Sequence, residues 1–457
     1  MTDRQAERKE HMAKTSTLYV CNNCGYESGK WYGKCPECDS WNSFTQVAAP
    51  DRKAAQSATH GPVAAPQNIA TIKSVAENRT STGYAEFDRV LGGQGKNVGI
   101  VPGSVMLLSG DPGVGKSTIM LQLGLNLAKA GKTVVYVTGE ESESQVKMRS
   151  ERIESEKSLS SLPLFILSTT NIDTALESAQ LVKPDLVIID SIQTMVSTEL
   201  TGFAGSIPQI RYATSRLVSY AKGNQIPVFL IGHVTKDGMV AGPMILSHMV
   251  DTVLYMEGET LTGTRILRTF KNRFGDTSEV GIFLMEEKGL IELSDASSFF
   301  VDKKDGSVPG SCVAVIMEGS RPLLVEVQAL VVPSTLAYPR RVANGIAEKR
   351  LELLLAVLQK HVRVPIERMD VFVNVVGGLK VQEPAVDLSV CLAIISSFKS
   401  KALPSTVAIS EVGLLGELKH VVNLDKRIKE AHKLGFKNVL SAKDAQFLNT
   451  VVNQSLS

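Results

Sequence analysis

Gly110-Asp111-Pro112-Gly113-Val114-Gly115-Lys116-Ser117-Thr118 decides how this chain is read. The run fulfils the pattern G-x-x-x-x-G-K-[ST]. Before it, residues 104–109 read as a short buried strand; after it, 119–130 alternate apolar and small residues at helical spacing. Strand, glycine loop and helix in that order make a phosphate cradle. The glycines let backbone N–H groups turn toward a phosphate, the helix N-terminus adds a positive dipole end, and Lys116 neutralises β/γ oxygens. Ser117 suits Mg2+ through its hydroxyl. A nucleoside triphosphate, ATP, is the expected ligand.

Outward from the loop, strand-like runs alternate with helical ones at 133–138, 164–167, 186–190, 228–231 and 252–257, the mark of parallel βαβ units on a central sheet. Run 186–190 is apolar and ends in Asp190-Ser191. Downstream of a phosphate loop, that carboxylate is the candidate to bind Mg2+ through water, with Ser191 orienting nearby groups. Run 133–138 leads into Gly139-Glu140-Glu141-Ser142, and Lys116 and Glu140 stand 24 positions apart. One helix and one strand fill that interval, so the strand is expected to be able to neighbour the phosphate-loop strand. Glu140 then activates a water in line with the γ-phosphate, Glu141 is the fallback, and a solvated acidic loop is the plain alternative.

His233 stands at the tip of run 228–231, as a γ-phosphate sensor or as a structural histidine. Lys236, in the stretch that follows, is a candidate DNA contact. Lys271-Asn272-Arg273-Phe274-Gly275 closes another strand-like run. Its two cations suit phosphate, on a nucleic acid or on ATP across a subunit boundary.

The chain has 457 residues, 43% of them hydrophobic and 21% charged, with a net charge of +2. That is a soluble globular composition spread over several domains, and any DNA-binding surface must be a local patch rather than a global field. No apolar run approaches the ~20 residues of a membrane span. Residues 1–14 are charged and lack an apolar h-region, so a cytoplasmic protein with no membrane partner is expected. Four of the six cysteines form two C-x2-C pairs, Cys21/Cys24 and Cys35/Cys38, separated by ten residues. Four thiolates so spaced suit tetrahedral Zn2+, whose binding supplies folding energy to a segment too small for its own core; an iron–sulfur cluster or a redox dithiol is the rival. Trp31, Tyr32 and Lys34 either serve a single nucleic-acid strand or leave the aromatics packed over the metal.

The patterning divides the chain into a four-cysteine zinc finger at 1–45, a flexible linker at 46–75, an ATPase domain at 76–290 and an α+β domain at 291–457. In the last, strand-like 311–317 and 323–329 precede a long helix at 343–361, a strand at 371–376, a helix at 387–397, a strand at 406–414 and a helix at 426–434.

With these pieces in place, the chain resembles the bacterial RadA/Sms family of DNA-repair ATPases over nearly its whole length. The resemblance rests on the four-cysteine knuckle, the run from Thr82 to Gly92, the phosphate loop, Gly139-Glu140-Glu141-Ser142, the run from Gly232 to Gly238 and, most specifically, Lys271 to Gly275. It implies a RecA-like P-loop ATPase core, α/β with a mostly parallel sheet, assembled as a homohexamer. It further implies single-stranded and branched DNA as ligands and work beside the RecA recombinase, extending heteroduplex or migrating branches in recombinational repair. Lys271 and Arg273 inherit from it a part in DNA engagement and ATP use. Added glycine-rich residues at 93–99 are the visible departure, in a loop where insertions are tolerated but neighbouring contacts can change.

Residues 291–457 resemble the proteolytic domain of Lon proteases. Glu383-Pro384-Ala385-Val386-Asp387 stands at the nucleophile motif, with Ala385 at the serine position and Asp425 at the lysine position. Without a nucleophilic oxygen and its base, peptide hydrolysis by that dyad is excluded. A retained scaffold for ring building is expected, with Lys426, Arg427 and Lys429 as DNA-facing candidates or simply a solvated helix face. The expected function is a DNA-dependent ATPase motor; the alternative is an ATP-switched loader or clamp acting on a recombinase or helicase without translocation.

Overall fold

A computed structural model describes residues 17–21, 26–37, 39–48, 68–71, 78–200, 202–233, 246–258, 263–293, 297, 301 and 308–456. The chain forms two compact units, Met1–Thr80 with Ile100–Val253, and Ser81–Gly99 with Leu254–Ser457.

The first unit opens with an antiparallel three-stranded ribbon of β1 (Thr17–Cys21), β2 (Glu27–Ser28) and β3 (Phe44–Ala48), with β1 in the middle. The larger part alternates strand and helix: β4 (Val105–Gly110), α1 (Lys116–Lys129), β5 (Val134–Thr138), α2 (Glu143–Ile153), β6 (Leu164–Ser168), α3 (Ile172–Val182), β7 (Leu186–Asp190), α4 (Ile207–Asn224) and β8 (Val228–Ile231). Strands β4, β5, β7 and β8 are buried throughout, as parallel strands covered on both faces must be. The five strands pair in parallel in the order β4-β8-β7-β5-β6. On one face, Leu107, Val137 and Ile189 pack with Ile172 and Ala175 of α3 and Ile210 and Leu217 of α4. Each such buried Leu, Val or Ile side chain contributes about 1.5–3 kcal/mol. α2 starts at a capping box, in which Ser142 and Gln145 satisfy each other's backbone N–H. β9 (Thr252–Gly258) carries the chain out of this unit.

In the second unit β10 (Thr264–Asn272), β11 (Val280–Glu286) and β12 (Gly289–Glu292) run antiparallel. The patterning identified the first of these and missed the other two. The added residues at 93–99 fold into a small hairpin, Gly93–Gln94 on Asn97–Val98. A six-stranded sheet follows, built from β13 (Ser311–Glu318), β14 (Arg321–Pro333), β15 (Arg341–Asn344), β16 (Met369–Val375), β17 (Thr406–Ile409) and β18 (Asn438–Ser441) in the order β15-β16-β14-β13-β17-β18. α5 (Glu348–Val357) and α6 (Asp387–Lys399) cover one face, and α7 (Leu424–Lys433) packs on the other.

Two expectations for this unit are corrected. The helix expected from Ala343 starts at Glu348, because Arg341–Asn344 is a strand paired in parallel with β16. Gly345 then turns the chain at φ 87°, where a Cβ would stand 2.6 Å from that of Val375. Arg427 is no DNA-facing cation. It is 2% exposed and forks onto the Glu383 carboxylate at 2.8 and 2.6 Å, while its Nε donates to Val422 O. Lys426 and Lys429 are exposed. Ala385 is buried, and Asp425 is exposed and paired with Lys443. Cys312 and Cys391 are fully buried; burial pushes the Cys312 thiol up to about 12 and the Cys391 thiol well above its ordinary value, so neither is a ready nucleophile.

Candidate functional site

β4 runs straight into the glycine loop, and α1 begins at its end. Gly113 and Gly115 adopt φ values of 74° and 109°, a left-handed region that side chains avoid. Gly115 is the N-cap of α1, so the first turn of the helix opens onto the loop. Asp111, Pro112 and Gly113 are exposed, Val114 is buried, and Ser117 and Thr118 are half-buried in the first turn. Lys116 is 3% exposed, and its ammonium group folds back to donate to Gly110 O at 2.8 Å and Asp111 O at 2.9 Å. Burial lowers its pKa; the charges of Asp190, Asp111 and Glu140 oppose that shift and so lie within electrostatic reach.

The strand carrying Glu140 does not neighbour the phosphate-loop strand. β8 pairs with β4, β7 with β8, and β5 with β7, so two strands intervene. Glu140 reaches the site along the common edge formed by the strand ends. Beyond the end of β5 the Gly139 N–H donates to Asp190 O at 2.8 Å, extending the pairing with β7. A Cβ on Gly139 would stand 2.1 Å from Thr194 Oγ1, itself bonded to Ser191 O. Gly139→Ala is therefore expected to cost about 1–3 kcal/mol in thermal or denaturant unfolding, through overpacking against Thr194.

This close approach sets the acidic groups. Ser191 Oγ donates to Glu140 Oε1 at 2.5 Å. His233 Nε2 lies 3.5 Å from the same oxygen and has no hydrogen-bond partner among the described residues. Gln193 Nε2 donates to His233 O at 3.2 Å. Tyr136 OH donates to Asp190 Oδ2 at 2.5 Å. Glu141 is turned elsewhere, in an ion pair with Arg149 of α2. Lys116, Glu140, Asp190 and His233 thus lie together, while the Tyr136, Gln193 and Thr194 contacts were not anticipated. A phenol inside an otherwise apolar strand is the one signal that pointed to such a contact.

In the ribbon, Cys21 and Cys35 are fully buried beside Phe44. The Cys21 N–H donates to Tyr26 O and the Cys35 N–H to Ser40 O, both at 2.9 Å. Two such sheltered thiols fit a tetrahedral thiolate site. Cys24 and Cys38 lie outside the described residues, as does Lys236. Trp31 and Trp41 are 53% and 73% exposed, Tyr32 rests against Phe44, and Lys34 is paired with Asp39.

Lys271 to Gly275 belong to the second unit. Asn272 shapes this turn: its Nδ2 donates to Leu91 O, and its Oδ1 accepts the Phe274 N–H, both at 3.0 Å. Gly275 stays small because a Cβ there would meet that amide at 3.0 Å. Lys271 is half-buried beside the turn, and Arg273 is exposed on it.

Residues 19–46 match the family described as a rubredoxin metal binding domain, and 97–239 match the AAA domain family. The DNA repair protein RadA of Halalkalibacterium halodurans is 46% identical over 434 residues, 94% of this chain and 93% of that protein. The chain belongs to the RadA family of DNA repair proteins. RadA of Listeria monocytogenes and RadA of Bacillus subtilis are each 44% identical, again over 94% of this chain and 93% of their own. Among solved structures, a KaiC-like protein from Pyrococcus horikoshii covers 47% of this chain and 99% of its own at 19% identity, with a TM-score of 0.40. The chain carries an ATPase-type core on a mostly parallel sheet behind a zinc-ribbon segment. Among the described residues no helix is long and apolar enough to cross a membrane.

Proposed function

We propose that this RadA-family chain is a DNA-dependent ATPase of recombinational repair. In this reading it is a cytoplasmic homohexamer that grips single-stranded and branched DNA and extends heteroduplex or migrates branches with the RecA recombinase. The observation that carries it is the meeting of Lys116, Glu140, Asp190 and His233 at the ends of parallel strands, in a chain of DNA-repair kinship.

ATP binds over residues Gly110 to Thr118, and Lys116 exchanges the Gly110 and Asp111 carbonyls for β/γ-phosphate oxygens. The Ser117 hydroxyl and the Asp190 carboxylate are hard oxygen donors, which fit Mg2+. Bound Mg2+ neutralises charge on the phosphates. Glu140, held by Ser191, accepts the proton of the attacking water. His233 senses the γ-phosphate and passes its state to the stretch holding Lys236, which contacts DNA. The thiolates of Cys21, Cys24, Cys35 and Cys38 would hold Zn2+. The chain is no protease of the Ser–Lys type, since Ala385 has no nucleophilic oxygen.

Lys271 and Arg273 engage a DNA phosphate. Lys271→Ala is expected to weaken single-strand binding evenly across sequences and to reduce its salt slope by about 1. An unchanged slope with lost turnover would assign the cation to ATP of a neighbouring subunit instead. Movement itself is tested on a three-stranded recombination intermediate. ATP should drive branch migration and a non-hydrolysable analogue should not; equal products with both would favour the ATP-switched loader or clamp.

A further inference from the structure

Tyr136 is fully buried in β5, between Val135 and Val137. A phenol so placed needs a partner for its hydroxyl, and it finds one across the strand pair in Asp190 Oδ2, at 2.5 Å. The contact has a counterpart one step further along the two strands, where Ser191, following β7, donates to Glu140, following β5. Each acidic group of the site is therefore held by a hydroxyl from the opposite strand, and the Gly139 N–H to Asp190 O bond ties the two strand ends between them.

We propose that Tyr136 is a positioning residue for the nucleotide-bound divalent cation: by engaging Oδ2 it fixes the Asp190 carboxylate and leaves Oδ1 to the hydration shell of Mg2+. Tyr136 touches neither nucleotide nor metal in this scheme and acts only through Asp190. Partners of this kind, one bond removed from a metal, orient the ligand and tune its affinity. The inference rests on the reading of Asp190 as the Mg2+ carboxylate.

The test uses the full chain and a fluorescent ATP analogue, with binding followed as Mg2+ is titrated and, separately, in excess EDTA. Tyr136→Phe removes only the hydroxyl. It is expected to raise the Mg2+ concentration for half-saturation roughly tenfold and to leave affinity in EDTA unchanged. In an Asp190→Asn background the same substitution should add nothing further. Equal losses of affinity with and without Mg2+ would mean that Tyr136 only supports the fold, and the inference would be wrong. It would also be wrong if Asp190→Asn shifted the Mg2+ requirement while Tyr136→Phe did not. If Asp190→Asn itself left the Mg2+ requirement unchanged, the metal reading of Asp190 would fall and the inference with it.

Discussion

Lys116→Ala is expected to abolish nucleotide binding at working concentrations, and all turnover with it, while leaving the fold at least as stable. The ammonium group is buried at the start of α1 and, among the described residues, donates to two loop carbonyls, which phosphate oxygens are expected to replace with much stronger charge-assisted bonds. Losing them removes about 3 kcal/mol or more of binding, roughly a hundredfold or greater in affinity. The stability half of the expectation follows from the pKa direction. Burial depresses the folded-state pKa of Lys116 below its unfolded value, so at neutral pH its charge is a cost to the fold. That cost is present below the depressed folded pKa and is relieved as pH rises from there toward the ordinary lysine value. Equilibrium binding of a labelled nucleotide and a thermal melt check the two halves; a variant that melts well below the parent would show that Lys116 serves the fold instead of the ligand.

Glu140→Gln is expected to lower kcat by about two to four orders of magnitude and to keep nucleotide affinity close to the parent's. The amide keeps an oxygen able to accept the Ser191 hydroxyl, so geometry is retained and basicity is lost. Glu141→Gln is the matched control. It breaks the pair with Arg149 and should reduce stability while sparing turnover. Full turnover in Glu140→Gln would remove Glu140 as the base.

Much of this site was legible because its parts are local. A glycine loop between a strand and a helix, or a carboxylate at the end of an apolar run, is written in consecutive residues. Strand order is not. Nothing between Lys116 and Glu140 shows that β8 and β7 lie between their strands, since both come later in the chain. Arg427 misled for a different reason. In Lys426-Arg427-Ile428-Lys429 it reads as one of several solvated cations, and its burial is made tolerable by the distant Glu383 carboxylate together with the Val315 and Val422 carbonyls. At Ala343 helical patterning gave way to a short parallel strand, whose pairing with β16 is a tertiary fact. The Tyr136 contact is also tertiary, though a phenol in a buried apolar strand announces that some partner exists.

ATP turnover by the full chain, measured with and without single-stranded DNA at fixed salt, tests most directly the claim that this is a DNA-dependent ATPase. Turnover should rise on adding the strand, saturate with strand concentration and vanish in Lys116→Ala. Turnover that is unchanged by DNA, in protein shown to bind that DNA, would contradict the claim.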